Sequence, residues 1–408
     1  MTQSIETVIV GGGQAGLATS YHLAERSREH IVLERSTQAG NAWRNDRWAS
    51  FCLVTPNWTF RLPGAEYDGM EPDGFMGRTE IISRFEQYIS RHRLPVEYST
   101  EVTSVEQTGE YKLVRTTNGD WIARNVVIAT GLFQRHRVPA FSINLSVEID
   151  QLHAGDYRSP RGLPPGNVLV VGSGQSGCQI AEELYQSGRQ VYLCTGSAGR
   201  APRHYRGKDI FEWLNLTGFL HRTVDKLPSP RAKFAANPQL SGRDGGHALN
   251  LHQFARDGVR LLGRLTGASE GTIYIAPDLK ENLAAADKFE SELVGLVDQY
   301  IAEQGLDVPA EVLPQLRDGY DQPEILELDL ASAGITTILW AIGYQFDYSL
   351  VKLPVFDADG FPIQQRGVTD IPGLYFIGMP WLHTQASGLL FGVGEDAGYI
   401  ASWIAHSH

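Results

Sequence analysis

One six-residue pattern, G-x-G-x-x-G, occurs twice in this chain of 408 residues, each time in the same setting. The first copy is Gly11-Gly12-Gly13-Gln14-Ala15-Gly16 and the second is Gly172-Ser173-Gly174-Gln175-Ser176-Gly177. A short apolar run leads into each, at 7–10 and 167–171, and a helix-forming stretch leads out, at 17–26 and 178–187. A second apolar run follows, at 31–33 and 190–195. Strand, tight turn, helix and strand at this spacing make a β-α-β unit, because parallel strands need a crossover helix. In such a turn the first glycine permits the sharp bend and the second lets a diphosphate approach the backbone. The third lets helix and strand pack closely. The free N–H groups and the dipole of the helix start then favour negative charge. Two copies predict an α/β protein with two Rossmann-like dinucleotide-binding domains.

The strand ends distinguish the two sites. Glu34 closes the second strand of the first unit, where a carboxylate accepts hydrogen bonds from both ribose hydroxyls of an adenosine. The N-terminal position and the pair Glu34-Arg35 favour FAD there. In the second unit Leu193-Cys194-Thr195-Gly196-Ser197 offers no carboxylate, so a 2′-phosphate meets no repulsion. Arg200 and Arg203 follow closely, and arginine chelates phosphate with paired N–H donors. NADPH is therefore expected over NADH, with Ser197, Arg200 and Arg203 as its contacts. Two dinucleotides in one chain imply hydride passing from nicotinamide to flavin.

The remaining chain narrows the class. A net charge of −12 disfavours nucleic acid or an anionic membrane surface as partner. No apolar run reaches the ~20 residues of a membrane helix, and the polar start of the chain lacks a signal-peptide pattern, so a cytoplasmic protein is expected. Cys52, Cys178 and Cys194 form no C-x-x-C pair and no metal cluster, and histidines such as His247 and His252 show no metal spacing. A flavin-dependent disulfide reductase needs a redox-active dithiol, so this chemistry is not expected.

Along the chain, 40–80 is rich in Gly, Pro, Trp and Asn and reads as a long structured loop; 81–93 reads as a helix. Strands at 111–114 and 121–122 flank Asn118-Gly119, a hairpin signal. The breaker-rich stretch 159–166 marks a boundary. The expected layout is an FAD domain at 1–158, an NADP domain at 159–344 carrying a mostly helical insertion at about 205–330, and a C-terminal part of the FAD domain at 345–408. Long apolar helices in the insertion offer either a pocket lid or a homodimer face.

The two loops, with the strand ends Ala129-Thr130-Gly131 and Ala341-Ile342-Gly343-Tyr344, resemble the flavin-containing monooxygenase-like family, the class B flavoprotein monooxygenases. The segment Gly40-Asn41-Ala42-Trp43-Arg44 is similar to its flavin-contacting Gly-Gly-x-Trp, with Asn41 replacing the second glycine. The stretch 50–58 and Ser387-Gly388-Leu389 are similar to a bacterial subgroup of flavin-dependent oxidoreductases, some encoded beside nitrilase-type genes. The family fingerprint F-x-G-x-x-x-H-x-x-x-(Y/W) finds His153 and Tyr157 in place, with Val147 and Ile149 at the Phe and Gly positions. Baeyer–Villiger members carry Trp last, so Tyr157 points away from them.

The resemblance implies FAD reduced by NADPH, then O2 captured as a C4a-hydroperoxyflavin that oxygenates a small substrate at nitrogen or sulfur. It also implies cofactor contacts at Gly343, Gly378 and Leu389, a hydrogen-bonding role near the flavin for Asn57, and a positioning role for His153. Trp43, Trp48, Trp58 and Trp381 are candidate cavity walls. An oxidase or reductase without oxygen insertion, and a ketone oxygenase, are the alternatives.

Overall fold

The computed structural model describes residues 2–235 and 237–406. β1 (Thr2–Val10) runs through α1 (Gln14–Glu25) to β2 (His30–Leu33), with Val8 to Val10 buried. The aromatic stretch 40–77 follows, holding short turns at Asn41–Asn45 and Asn57–Thr59 and a small hairpin. In α2 (Arg78–His92), Ile81, Ile82, Phe85 and Tyr88 fall on one face at helical spacing, and that face is buried. β3 (Val96–Glu97), β4 (Val102–Thr108), β5 (Tyr111–Thr116) and β6 (Asp120–Ile128) complete the N-terminal half. The order is β3-β2-β1-β6-β5-β4, with the first four strands parallel and the last pairings antiparallel. Asn118-Gly119 turns β5 into β6 with Gly119 at φ +124°, as its residue types require.

The second sheet is wholly parallel: β7 (Asp150–His153), β8 (Asn167–Val171), β9 (Val191–Cys194), β10 (Arg260–Leu262) and β11 (Ile335–Trp340), in the order β7-β11-β8-β9-β10. α3 (Gln175–Gln186) crosses between β8 and β9. The chain leaves the first domain through Arg135–His136 and returns through Tyr344–Gln345, and these two linkers pair antiparallel. β12 (Leu374–Phe376) then docks parallel on β6, and α5 (Val393–His406) lies against α1, where His22 Nε2 meets the Gly394 carbonyl at 3.1 Å.

Two expectations change. β7 belongs to the second sheet, so the crossing lies near 137 rather than 159, and the chain returns at Tyr344–Gln345. The 205–330 region is not mostly helical. It supplies β10 to the parallel sheet and adds a three-stranded sheet (Leu265–Ser269, Thr272–Ile275, Glu327–Asp329) beside helices Ile210–Leu216, Leu251–Arg256 and α4 (Leu279–Gln304). Strands of three to five residues are too short to show a period in sequence. The apolar face of α4 is spent inside the chain: Leu279 and Leu283 pack with Leu251 and Phe254, Leu293 with Ile210 and Leu214, and Val297 and Ile301 with Tyr205 and Trp213.

One core position opposes the rest. Lys112 is 1% exposed on β5, and its Nζ donates to the Pro372 carbonyl at 2.7 Å. Burial lowers its pKa, with no carboxylate to offset the effect. Between the folded and unfolded values the unfolded chain binds more protons, so stability rises with pH through that window. Lys112→Met is expected to stabilise the fold at neutral pH by about 1–2 kcal/mol, the order seen when a buried charge gives way to an apolar residue of similar volume. Urea midpoints measured from pH 7 to 10 should show that advantage shrinking as pH rises.

Candidate active site

The first loop has a steric logic that fixes two of its glycines and leaves a third open. Gly11 sits at φ +107°, and a Cβ there would lie 2.8 Å from the Ala129 carbonyl oxygen. A Cβ on Gly16 would lie 1.9 Å from the Gly11 oxygen, so α1 touches the turn backbone directly. At Gly13 a Cβ would meet nothing within 4 Å, and that opening faces the start of α1. The helix begins with no side-chain cap and no acid in its first turn. Its first N–H groups, at Gln14, Ala15 and Gly16, therefore await an anion. Glu34 stands beside them: Oε2 accepts from Gly12 N at 2.7 Å and Oε1 from Ser36 N at 2.9 Å. Both oxygens are oriented, with lone pairs left for ribose hydroxyls. Arg35 is exposed beside it. Past Glu34 an open cleft of about 270 Å³ lies between Thr37, Gln38 and Ala39 on one side and Glu86, Ile89, Ser90 and Tyr98 on the other.

The second loop repeats this geometry. Gly172 has φ +107° with its Cβ position 2.7 Å from the Ala341 oxygen, Gly177 would meet the Gly172 oxygen at 1.9 Å, and Gly174 is open. α3 likewise starts uncapped and without an acid. Ser173 is buried, and its Oγ accepts from Gly196 N at 3.0 Å. Gln175 is half-buried, and Ser176 and Ser197 are exposed. Thr195 turns its hydroxyl to the Leu262 carbonyl, so no carboxylate stands at the end of β9.

The two arginines require a correction. Arg200 is 5% exposed and bound to both oxygens of Glu290 at 2.9 and 2.7 Å, with Asp287 at 2.8 Å. Arg203 is 4% exposed and donates to Asp209 and to the Val54 carbonyl, both at 2.7 Å. Arg200 is occupied by its carboxylates, and Arg203, although its Nε has no partner, is too deeply buried to meet a 2′-phosphate. The missing carboxylate, not these side chains, is what remains of the sequence argument for NADPH.

Other candidates surround the two loops. Ala129, Thr130 and Gly131 follow β6, Ala129 against the first loop and Gly131 at φ +69°. Gly378, at φ +81°, brings backbone onto α1, since a Cβ there would lie 2.7 Å from that of Ala15. Leu389 accepts from Val393 N at the start of α5, and Gln14 Nε2 donates to the adjoining Gly388 carbonyl at 2.9 Å. Gly40 (φ +70°) starts the turn bearing Trp43, which packs on Phe51. Trp48 is buried in the second domain's core against Tyr157 and borders a small pocket with Ser50, Phe51 and Cys52.

Asn57 is 3% exposed; its Nδ2 donates to the Glu71 carbonyl and its Oδ1 accepts from Met76 N. These bonds pin the loop 71–76 rather than presenting the amide to a reacting oxygen. His153 sits at the linker pair: Nε2–H donates to the Gly343 carbonyl at 2.9 Å and Nδ1 accepts from Gly155 N at 3.0 Å. Its ring stacks on His136 at 4.0 Å, and burial lowers its pKa, keeping it neutral with a fixed tautomer.

Sequence reasoning missed two glutamines. Gln239, fully buried, donates to the Ser173 carbonyl at 2.6 Å across a separation of 66 residues, a pairing with no local signal. Gln134 ties Thr130 Oγ1 and the Gly131 carbonyl to Asp347 N. The thiols are all quiet: burial pushes Cys194 up to about 12 and raises Cys178 and Cys52 as well. Among the described residues no His, Cys, Asp and Glu group is arranged to hold a metal, and no helix is long and apolar enough to cross a membrane.

Comparison with known proteins agrees with this plan. Residues 8–215 match the family described as pyridine nucleotide-disulphide oxidoreductase. An uncharacterized CzcO-like oxidoreductase of Geobacillus kaustophilus is 32% identical over 402 residues, covering 98% of each chain. Among solved structures, a flavin-containing monooxygenase from Stenotrophomonas maltophilia superposes with a TM-score of 0.67 at 20% identity over 98% of each chain. A bacillithiol disulfide reductase from Bacillus cereus does so at 0.63 and 16% over 99% of each. The fold is thus shared by oxygenating and disulfide-reducing enzymes.

Because the Gly16 and Gly177 contacts are to backbone, neither can relax cheaply, and overpacking of this kind costs about 1–3 kcal/mol or more. Gly16→Ala is expected to purify largely without bound flavin, measured as the 450 nm to 280 nm absorbance ratio. Gly177→Ala should keep its flavin and need about tenfold more NADPH for half-maximal flavin reduction.

Proposed function

This chain belongs to the pyridine nucleotide-disulphide oxidoreductase family, and from that premise we propose that it is an FAD- and NADPH-dependent monooxygenase acting on a small nucleophilic substrate at nitrogen or sulfur. One observation carries the reading. The chain has two dinucleotide cradles and no thiol able to relay electrons onward, because Cys178 and Cys194 are buried and all three thiols are held protonated. Electrons collected at the flavin are then left with O2 as acceptor. Bound FAD supplies the redox and oxygen chemistry.

The chain's own residues bind, orient and exclude water. The uncapped starts of α1 and α3 hold the two diphosphates, and Glu34 holds the FAD ribose. The absence of a carboxylate after β9 admits the 2′-phosphate of NADPH. His153, locked between Gly343 and Gly155, is a positioning residue that sets the linker geometry and hence how the nicotinamide half meets the flavin half. Asn57 keeps the 71–76 loop in place, with Trp43, Trp58 and Trp381 as walls. Three free thiols are what a reducing compartment maintains, so the cytoplasm is the proposed location.

The test is anaerobic reduction by NADPH followed by stopped-flow mixing with oxygenated buffer. The expected result is a near-ultraviolet transient that lasts for seconds and decays faster when an amine or sulfide substrate is present. Direct return to oxidised flavin, with or without such compounds, would overturn oxygenation in favour of an oxidase. NADH run in parallel should reduce the flavin only at higher concentration than NADPH.

A further inference from the structure

Three separated segments place two arginines against aromatic faces on the flavin side of the molecule. Arg222 lies 3.6 Å above the Phe219 ring and 5.7 Å from that of Trp381. Arg61 lies 4.8 Å from the Phe391 ring and 5.5 Å from Trp58. Phe391 joins the groups, meeting Trp58 edge-on at 5.8 Å and His221 at 5.8 Å. Arg200, Arg203 and Arg366 each meet a carboxylate. Arg61 and Arg222 meet none within ion-pair distance among the described residues. Arg222 spends its Nε on the Phe219 carbonyl and one Nη2 hydrogen on Gln385 Oε1 at 2.8 Å, leaving Nη1 and the other Nη2 hydrogen unassigned. Both guanidiniums keep an exposed side, and partial desolvation against the rings lowers the Arg222 pKa with no acid to offset it.

The position of Arg222 is built rather than incidental. Its carbonyl accepts from Gln385 N at 3.0 Å, Val224 N donates to the His383 carbonyl at 3.0 Å, and Thr223 pairs with Thr384 across an antiparallel bridge. Thr384 and Ser387 cap one another's turn. That turn ends at Gly388, whose carbonyl holds Gln14 at the mouth of the first diphosphate cradle. Trp381 is kept at φ +57°, a conformation a bulky residue adopts only when its surroundings impose it. A strap of the second domain is thus stitched to the flavin-side segment 381–388, with an acid-free guanidinium at the seam between aromatic walls.

We propose that Arg222, assisted by Arg61, binds a carboxylate on the substrate, whose apolar body rests against Phe219, Trp381 and Phe391. A guanidinium matches a carboxylate with two parallel N–H donors, and the aromatic faces beside it take an apolar or aromatic body without a charged competitor. The substrate class is therefore an aromatic or apolar acid bearing the oxidisable nitrogen or sulfur. This inference rests on the monooxygenase reading for what happens to the substrate, and not for its binding.

Two compounds of one shape test it: 4-(methylsulfanyl)benzoate and 4-(methylsulfanyl)benzamide. Anaerobic titration of the FAD-loaded enzyme, read from the flavin spectrum, should show the acid binding about tenfold tighter or better, the scale of a charge-assisted bidentate contact. In Arg222→Met the acid-to-amide ratio should fall towards one, and Arg222→Lys should keep part of it. Arg61→Gln should lower the ratio less, and it reads the same site should the Arg222 variants fail to fold. Equal affinity for acid and amide in the parent enzyme overturns the proposal, as does an Arg222→Met variant whose only change is weaker NADPH binding. Turnover separates the two readings. Acid preference without oxygenation sinks the monooxygenase alone, and oxygenation without acid preference sinks this one alone.

Discussion

The contact on which everything else rests is between helix and turn at the two glycine loops. At Gly16 and at Gly177 the space for a Cβ is already filled by a backbone oxygen 1.9 Å away. Only with that atom missing does each helix come down onto its turn, and only then do its first N–H groups converge on one point. The other starts differ: Asp209 and Asn250 each cap one N–H of the helices at Ile210 and Leu251, and α2 and α4, also without a side-chain cap, carry Glu80 and Glu281 in their first turns. α1 and α3 leave theirs unanswered, and the opening over the middle glycine says what must answer them: a group with negative charge and no bulk on its near side. Sheet order, strand ends and the placement of Glu34 follow as supports for that vacancy of partners.

The two domains meet through a few directional bonds. Ser50 of the aromatic loop reaches Glu183 on α3, whose other oxygen accepts from Tyr157. Arg203 holds the Val54 carbonyl, and Gly242 lies so close to Leu53 that a Cβ would sit 1.8 Å from its oxygen. His153 closes the arrangement at the linkers. These contacts explain why a stretch as rich in aromatics as 40–77 is ordered. Its residues are divided between two cores, Leu53 in one and Trp48 in the other.

What could be read from sequence was what short-range chemistry dictates. The glycine loops, the Asn118-Gly119 hairpin and the helix over 81–93 are each determined locally, and Glu34, 22 residues from its partner Gly12, by the fixed spacing of a β-α-β unit. What could not be read depends on partners far along the chain. Arg200 looked like a phosphate ligand because Glu290, 90 residues on, is invisible to a local argument. Asn57 looked available because the Met76 N–H and Glu71 carbonyl that occupy it lie in the following loop. β7 and β10 were hidden because two strands of three or four residues acquire their identity only from the sheet that receives them. The residue types suggested ligands, and tertiary pairing decided which of them were free.

The chain passes into the second domain near residue 137 and comes back at Tyr344, so the first domain is written in two instalments while the second is continuous. On a ribosome this sets an order of events. The parallel sheet from β7 to β11 is complete once Trp340 has emerged, and it can close on its own. The N-terminal sheet, although synthesised first, waits with the flank of β6 open until Leu374–Phe376 arrives, and α1 waits longer still for α5. An exposed strand flank is a template for wrong partners as well as the right one. A nascent chain of this protein therefore carries its most vulnerable edge through most of the synthesis of both domains, and a strand of only three residues, Leu374–Phe376, is what finally covers it.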